Sequence, residues 1–132
     1  MRVIKRENLT REQLPGRVIQ RVIGRNAFSE SSRMTMGFAH YSEASGPMEP
    51  HQHAEEIVFV LNVKEGWVRH GSARDQLGPP IPLAAGYTLH FPELEWHVFE
   101  FSRGGYVDVI FFYGQVDNIR PEEIKVTPPS SQ

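Results

Sequence analysis

Apolar and polar residues alternate with a period of two along much of the chain, and the alternating runs are short and punctuated by glycine and proline. From Arg33 to Tyr41, Met34, Met36, Phe38 and His40 alternate with Arg33, Thr35, Gly37 and Ala39, the pattern of a strand with one buried face. The bulky set is the expected interior face. Trp96 to Phe101 repeats the pattern, with His97, Phe99 and Phe101 on one side. Val18 to Ile23 and Ile57 to Val63 are apolar and β-branched without clear alternation, which suits strands covered on both faces. Shorter strands are expected at Val3 to Lys5, Trp67 to His70, Ile81 to Ala85 and Thr88 to Phe91, with a longer one from Tyr106 to Tyr113.

Between these runs stand turn signals. Lys64-Glu65-Gly66 and Arg103-Gly104-Gly105 predict turns, the first a protruding hairpin and the second a hairpin into Tyr106. Helix is scarce. One helical turn is expected at Asn8 to Leu14, stopped by Pro15-Gly16, and another at Pro121 to Glu123. Residues 124–132, which end Pro128-Pro129-Ser130-Ser131-Gln132, read as a flexible tail. Many short strands with almost no helix define an all-β sandwich or barrel, with an antiparallel double-sheet roll the commonest form that holds a site between its sheets.

A length of 132 residues suits one domain with one core. The net charge of −2 and the lack of a Lys/Arg cluster argue against nucleic acid as a partner. No apolar run approaches the roughly 18 residues of a spanning helix, and the first twenty residues are too polar for a signal peptide, so a cytoplasmic, non-membrane protein is the expectation. Because there are no cysteines, thiolate chemistry is excluded and His, Glu and Asp remain as metal ligands.

One stretch concentrates such groups. Gly46-Pro47-Met48-Glu49-Pro50-His51-Gln52-His53-Ala54-Glu55-Glu56 carries two histidines at i and i+2. Its prolines oppose a helix, and on an extended strand the two imidazoles share one face.

Together with Gly86, Pro92 and His97, this stretch resembles the two motifs of the cupin family. The first runs Gly, five residues, His-x-His, three or four residues, Glu. The second runs Gly, five residues, Pro-x-Gly, two residues, His. Gly46 to His51 and His53 to Glu56 are each one residue short, and Leu94 stands where the second motif has glycine, which asks for a different turn before His97. The resemblance spans roughly residues 33–113. It implies a double-stranded β-helix, or jelly-roll, barrel with short N-terminal strands and little helix.

The resemblance also implies one divalent transition metal ion per chain, held by His51, His53, Glu56 and His97, with Glu55 as a rival ligand or a partner that orients an imidazole. Glu56 is preferred because it precedes Phe59-Val60-Leu61 by three residues. A three-imidazole, one-carboxylate set suits Fe, Mn, Ni, Co or Zn. His40, His90 and Tyr41 are the candidate acid-base groups, and Met34, Met36, Phe38, Phe99, Phe101 and Phe111 the candidate pocket wall. The expected function is a metal-dependent enzyme on a small polar or carbonyl metabolite, either a dioxygenase or an isomerase, decarboxylase or lyase. A non-catalytic small-molecule binding or sensing module is the alternative, and a metal-free structural barrel a third. Proteins of this kind commonly pair through N-terminal strands, so a homodimer is expected.

Overall fold

The computed structural model describes residues 1–123. Eight strands build it: β1 (Glu12–Leu14), β2 (Arg17–Gly24), β3 (Ser29–Glu30), β4 (Thr35–Ser42), β5 (Glu56–Gly71), β6 (Ile81–Pro82), β7 (Thr88–Phe91) and β8 (Trp96–Tyr113). The helical content among the described residues is two 3₁₀ turns, Arg6–Asn8 and Glu43–Ser45. The fold is an all-β jelly-roll barrel.

The hydrogen-bonded order is β1-β2-β4-β8-β5-β6, with β7 beside β5 and β3 beside β2. Every pairing is antiparallel except the two-residue β2–β3 ladder. Strands β5 and β8 run the length of the molecule and pair with each other from Glu56↔Tyr113 to Gly71↔Trp96. Their register slips at Val60/Asn62 and Lys64/Gly66. Bulges of this kind bend and twist a strand, so one pair of strands serves both sides of the roll.

These bulges correct two expectations. Lys64-Glu65-Gly66 is not a turn into a protruding hairpin but a bulge inside β5, with Glu65 at φ 47°. Arg103-Gly104-Gly105 likewise lies within β8 rather than closing a hairpin, with Gly104 at φ 79°. Local turn residues mark both positions, but continued pairing across the sheet keeps the strands whole. At the N-terminus, Val3 to Lys5 is not a strand, the helical turn sits at Arg6–Asn8, and Glu12–Leu14 is a strand paired with β2. Residues 121–123 form a turn, and the expected flexible tail, 124–132, lies outside the described residues.

The core is built from Ile19, Ala39, Tyr41, Val58, Val60, Val68, Phe91, Phe99, Val107, Val109, Phe111 and Tyr113, with Phe101 half-buried against it. Strand β4 enters it in the phase opposite to expectation. Thr35, Gly37, Ala39 and Tyr41 are buried, whereas Met36, Phe38 and His40 are half-exposed on the other face and Met34, just ahead of the strand, is 55% exposed. Met34, Met36 and Phe38 therefore do not line the barrel interior. The reason is steric: a Cβ at Gly37 would lie 2.6 Å from both the Gln20 carbonyl oxygen and Phe111 Cζ. At Gly37 the inner face of β4 has no room for a side chain because Phe111, its partner on β8, fills the space.

Candidate metal centre

Backbone pairing brings the distant histidines together. His51 and His97 form an isolated antiparallel bridge, His51 N–H donating to the His97 carbonyl at 3.0 Å and His97 N–H to the His51 carbonyl at 2.9 Å. A second tie comes from the turn before β8, where Leu94 N–H donates to the His53 carbonyl at 2.8 Å. That turn is not the different one the absent glycine implied. Leu94 itself adopts the left-handed conformation, at φ 63°, which glycine reaches without steric cost.

Each imidazole is oriented by its own Nδ1. His51 Nδ1 lies 3.0 Å from the Glu49 carbonyl oxygen, His53 Nδ1 2.8 Å from that of Ala54, and His97 Nδ1 2.8 Å from that of Glu95. A carbonyl oxygen only accepts, so each Nδ1 carries the hydrogen and each Nε2 presents a lone pair. These three donor atoms lie within 4.8 Å of one another. Burial holds all three rings below the usual imidazole pKa, His51 at about 4 and His97 well down, with the neighbouring histidines adding to the shift at His51 and His97. The rings are neutral donors at pH 7.

Two of these lone pairs face each other, with His53 Nε2 and His97 Nε2 3.0 Å apart. Neither nitrogen has a hydrogen to share, so the contact is repulsive unless a cation stands between them. Two nitrogens bound at about 2.0–2.1 Å in adjacent positions on one ion are about 3 Å apart. The donor set fits a divalent transition metal.

Glu56, the first residue of β5, points into the same cavity. It is buried, and its Oε1 lies 3.4 Å from His53 Nε2. Burial pushes its carboxyl up to about 8, against a hydrogen bond from Tyr113 and the charge of Arg17. With His53 held neutral as well, this contact is not an ion pair in the metal-free protein. Glu55 turns the other way and binds His90 Nε2 at 2.7 Å on the exposed surface. His40 also lies outside the barrel, 2.8 Å from Asp108, which in turn takes both arms of Arg6. Of the three candidate acid-base groups only Tyr41 reaches the cavity. The strand phases explain this outcome: His40 belongs to the outer face of β4, and His90 pairs with the exposed Ile57.

The cavity beside these groups is small, about 20 Å³, and is walled by Ala39, Tyr41, Phe111 and Tyr113 as well as His51, His53 and Glu56. Phe91 stacks on the His97 ring at 3.9 Å between centroids, and Phe99 packs edge-on to Phe91. Burial holds both Tyr41 and Tyr113 above the ordinary phenol range, and the neighbouring Glu56 adds to it. Both are hydrogen-bond donors at neutral pH.

Arg17 and Arg120 also line this cavity and had no place among the expected site residues. Arg17 could have been found from Ile19, two positions on in the same strand and therefore on the same face; the doublets of β2 hid that phase.

No family model matches the chain, and no curated protein matches it in sequence. Its fold is shared with solved structures. The polyketide cyclase RemF from Streptomyces resistomycificus superposes with a TM-score of 0.70 at 18% identity, over 97% of this chain and 88% of that one. A protein from Planctomyces limnophilus gives 0.66 at 18% identity, over 89% and 91% of the two chains. A cupin-like protein from Thermotoga maritima gives 0.57 at 16% identity, over 76% and 69%. The chain has the cupin fold. No helix among the described residues is long and apolar enough to cross a membrane.

Proposed function

We propose that the protein is a mononuclear metal enzyme acting on a small polar or carbonyl metabolite, with the ion held by His51, His53 and His97 and with Glu56 as the carboxylate ligand. The observation that carries this reading is the pair of facing Nε2 lone pairs on His53 and His97, 3.0 Å apart. Ionised Glu56 would complete the set and offset the ion's charge. A bound divalent ion supplies Lewis acidity, polarising a carbonyl or acidifying a bound water.

The chain's own residues supply the rest. Tyr41 presents a protonated phenol to the cavity, positioned to donate to a developing oxyanion, while the Tyr113 hydroxyl is engaged with Glu56 and orients that carboxyl. Phe91, Phe99 and Phe111 are buried and help to exclude bulk water. Because the site contains phenols and guanidinium groups rather than an all-apolar wall, a non-redox isomerase, cyclase or lyase reaction is favoured over oxygen chemistry or ligand binding without turnover. The likeness to a polyketide cyclase is in keeping with this.

The test is elemental analysis of protein purified from metal-replete cells without added metal. The reading expects about one equivalent of a single transition metal, greatly reduced in His51→Ala and in Glu56→Gln. Folded wild-type protein with no metal would overturn it.

We also read the protein as a homodimer, paired through the outer sheet face rather than the N-terminal strands. Met36, Phe112 and Ile57 align across β4, β8 and β5, and Phe38, Ile110 and Phe59 form the next row. Ile57, Phe59 and Phe112 are 38–47% exposed, an apolar sheet face that a second copy would cover. The N-terminal strands, by contrast, offer only the three-residue edge of β1, since β2 is already paired on both sides within the chain.

A further inference from the structure

A second cavity, about 500 Å³, opens outside the metal cavity. Arg17, Met48, His51 and Pro121 line both. The inner cavity has room for little more than one water, whereas the outer one is of ligand size. The outer cavity has room for an organic ligand, and Arg17 and His51 face both cavities. The outer walls are largely apolar, with Pro47, Met48, Pro50 and Trp96 prominent.

Arg17 is unusual for an arginine at a cavity mouth. Its side chain is 8% exposed. One guanidinium nitrogen donates to the Pro15 carbonyl at 3.0 Å and to Glu122 Oε1 at 2.7 Å, and the other donates to Glu122 Oε2 at 3.2 Å. A buried cation requires a partner, and the fork of two bonds is the geometry by which arginine grips a carboxylate. The partner, however, is open to solvent: the Glu122 side chain is 42% exposed. The segment that carries it is anchored further back, where Ile119 is buried and its carbonyl accepts from the Ala54 N–H at 3.3 Å. Glu122 can leave without that anchor breaking.

We propose that Arg17 is the recognition residue for a ligand carboxylate carried on an apolar body, and that Glu122 holds the position in the resting protein as a stand-in. The proposal rests on reading the inner cavity as the reaction site and adds the substrate class. The exchange is physically even-handed. An incoming carboxylate replaces one charge-assisted pair with another while Glu122 returns to water, and the apolar body gains burial against Trp96 and the prolines. A neutral analogue has nothing to offer Arg17, since displacing Glu122 would leave a buried cation unpaired.

Phenylacetate and phenylacetamide, nearly equal in shape and different in charge, are suitable probes for titration calorimetry on the full chain. Phenylacetate is expected to bind Glu122→Gln at least fivefold more tightly than wild type, phenylacetamide to bind neither detectably, and Arg17→Lys to lose most of the phenylacetate affinity. Equal affinity of wild type and Glu122→Gln for phenylacetate, or equal binding of acid and amide, would overturn the proposal even if Arg17→Lys failed to fold. Repeating the titrations after chelator treatment separates this site from the metal. The Glu122→Gln advantage should persist; its disappearance would put the carboxylate on the ion and overturn the role of Arg17, while leaving the metal reading intact.

Discussion

His53 Nε2 and His97 Nε2 face each other at 3.0 Å although each ring's hydrogen is committed to a backbone carbonyl on its far side. A divalent ion between the two lone pairs would turn their mutual repulsion into attraction. Anything that binds the folded state alone stabilises it by mass action, by about 2.7 kcal/mol at a hundredfold excess over the dissociation constant. Chelation should accordingly lower the thermal midpoint by about 10 °C, and readdition of the cognate ion should restore it. In His51→Ala the chelator-dependent shift should shrink to near zero. An unchanged midpoint for wild type on chelation would count against the site.

A second relationship lies outside the barrel. Asp108 accepts both arms of Arg6 at 2.7 and 2.8 Å and His40 Nδ1 at 2.8 Å, and Arg6 also reaches Gln20 and lies over the Phe38 ring. Burial alone would raise the Asp108 carboxyl, but these donors outweigh it and hold it below the ordinary carboxylate value. The sign follows. A lowered folded pKa contributes stability that is full above the unfolded value, near 3.9, and is lost as pH falls through the folded value. Asp108→Asn should cost about 1–2 kcal/mol at pH 7, with Arg6 one-third exposed. The gap between wild type and variant should narrow below about pH 4, as denaturant melts at pH 7 and pH 3 would show.

Gly37 tests the inverted phase of β4. With the Gln20 carbonyl and Phe111 both 2.6 Å from where a Cβ would stand, Gly37→Ala overpacks the wall of the metal cavity. A loss of about 1–3 kcal/mol is expected. Met36→Ala, on the outer face, should cost less in the monomer. The opposite ranking in urea unfolding would mean that the faces of β4 are assigned the wrong way round.

The outer face makes a separate prediction. Phe112→Glu places a charge in the middle of the Met36–Phe112–Ile57 row. Sedimentation velocity should find wild type as a dimer and the variant as a monomer of similar fold. Wild-type protein that stays monomeric at high micromolar concentration would remove the dimer reading.

Which parts of this were legible in the sequence follows from the physics of each signal. Residue spacing indicates an all-β roll and puts His51 and His53 on one face, because period-two alternation and His-x-His are local patterns, whereas Glu56 and His97 join them only through the resemblance to the cupin motifs. Gly66 and Gly104 misled because a bulge and a hairpin use the same backbone conformations. Only the pairing of β5 with β8, a non-local fact, tells them apart. Met34, Met36 and Phe38 misled because bulk was equated with burial, whereas Phe111 had already claimed the space inside. Arg17 escaped notice because a charged residue in an apolar strand reads as solvated until its partner, Glu122, 105 positions away, is known.

Leu94 joins the legible part to the illegible one. The motif places a glycine there, this chain has leucine, and the backbone nevertheless takes φ 63° so that Leu94 N–H can donate to the His53 carbonyl. For an L-residue the left-handed conformation costs about 1–2 kcal/mol, and the side chain recovers little of it, being 46% exposed. Leu94→Gly would relieve that strain but loosen the unfolded chain, which offsets about 0.5–1 kcal/mol of the gain. A net stabilisation of about 0.5–1 kcal/mol is expected, visible as a raised denaturation midpoint with an unchanged denaturant slope. Leu94→Val, β-branched and less tolerant of positive φ, should instead destabilise the protein and, by shifting the turn that presents His97, weaken metal binding. If Leu94→Val proved as stable as Leu94→Gly, the left-handed turn would not be what sets His97 opposite His51.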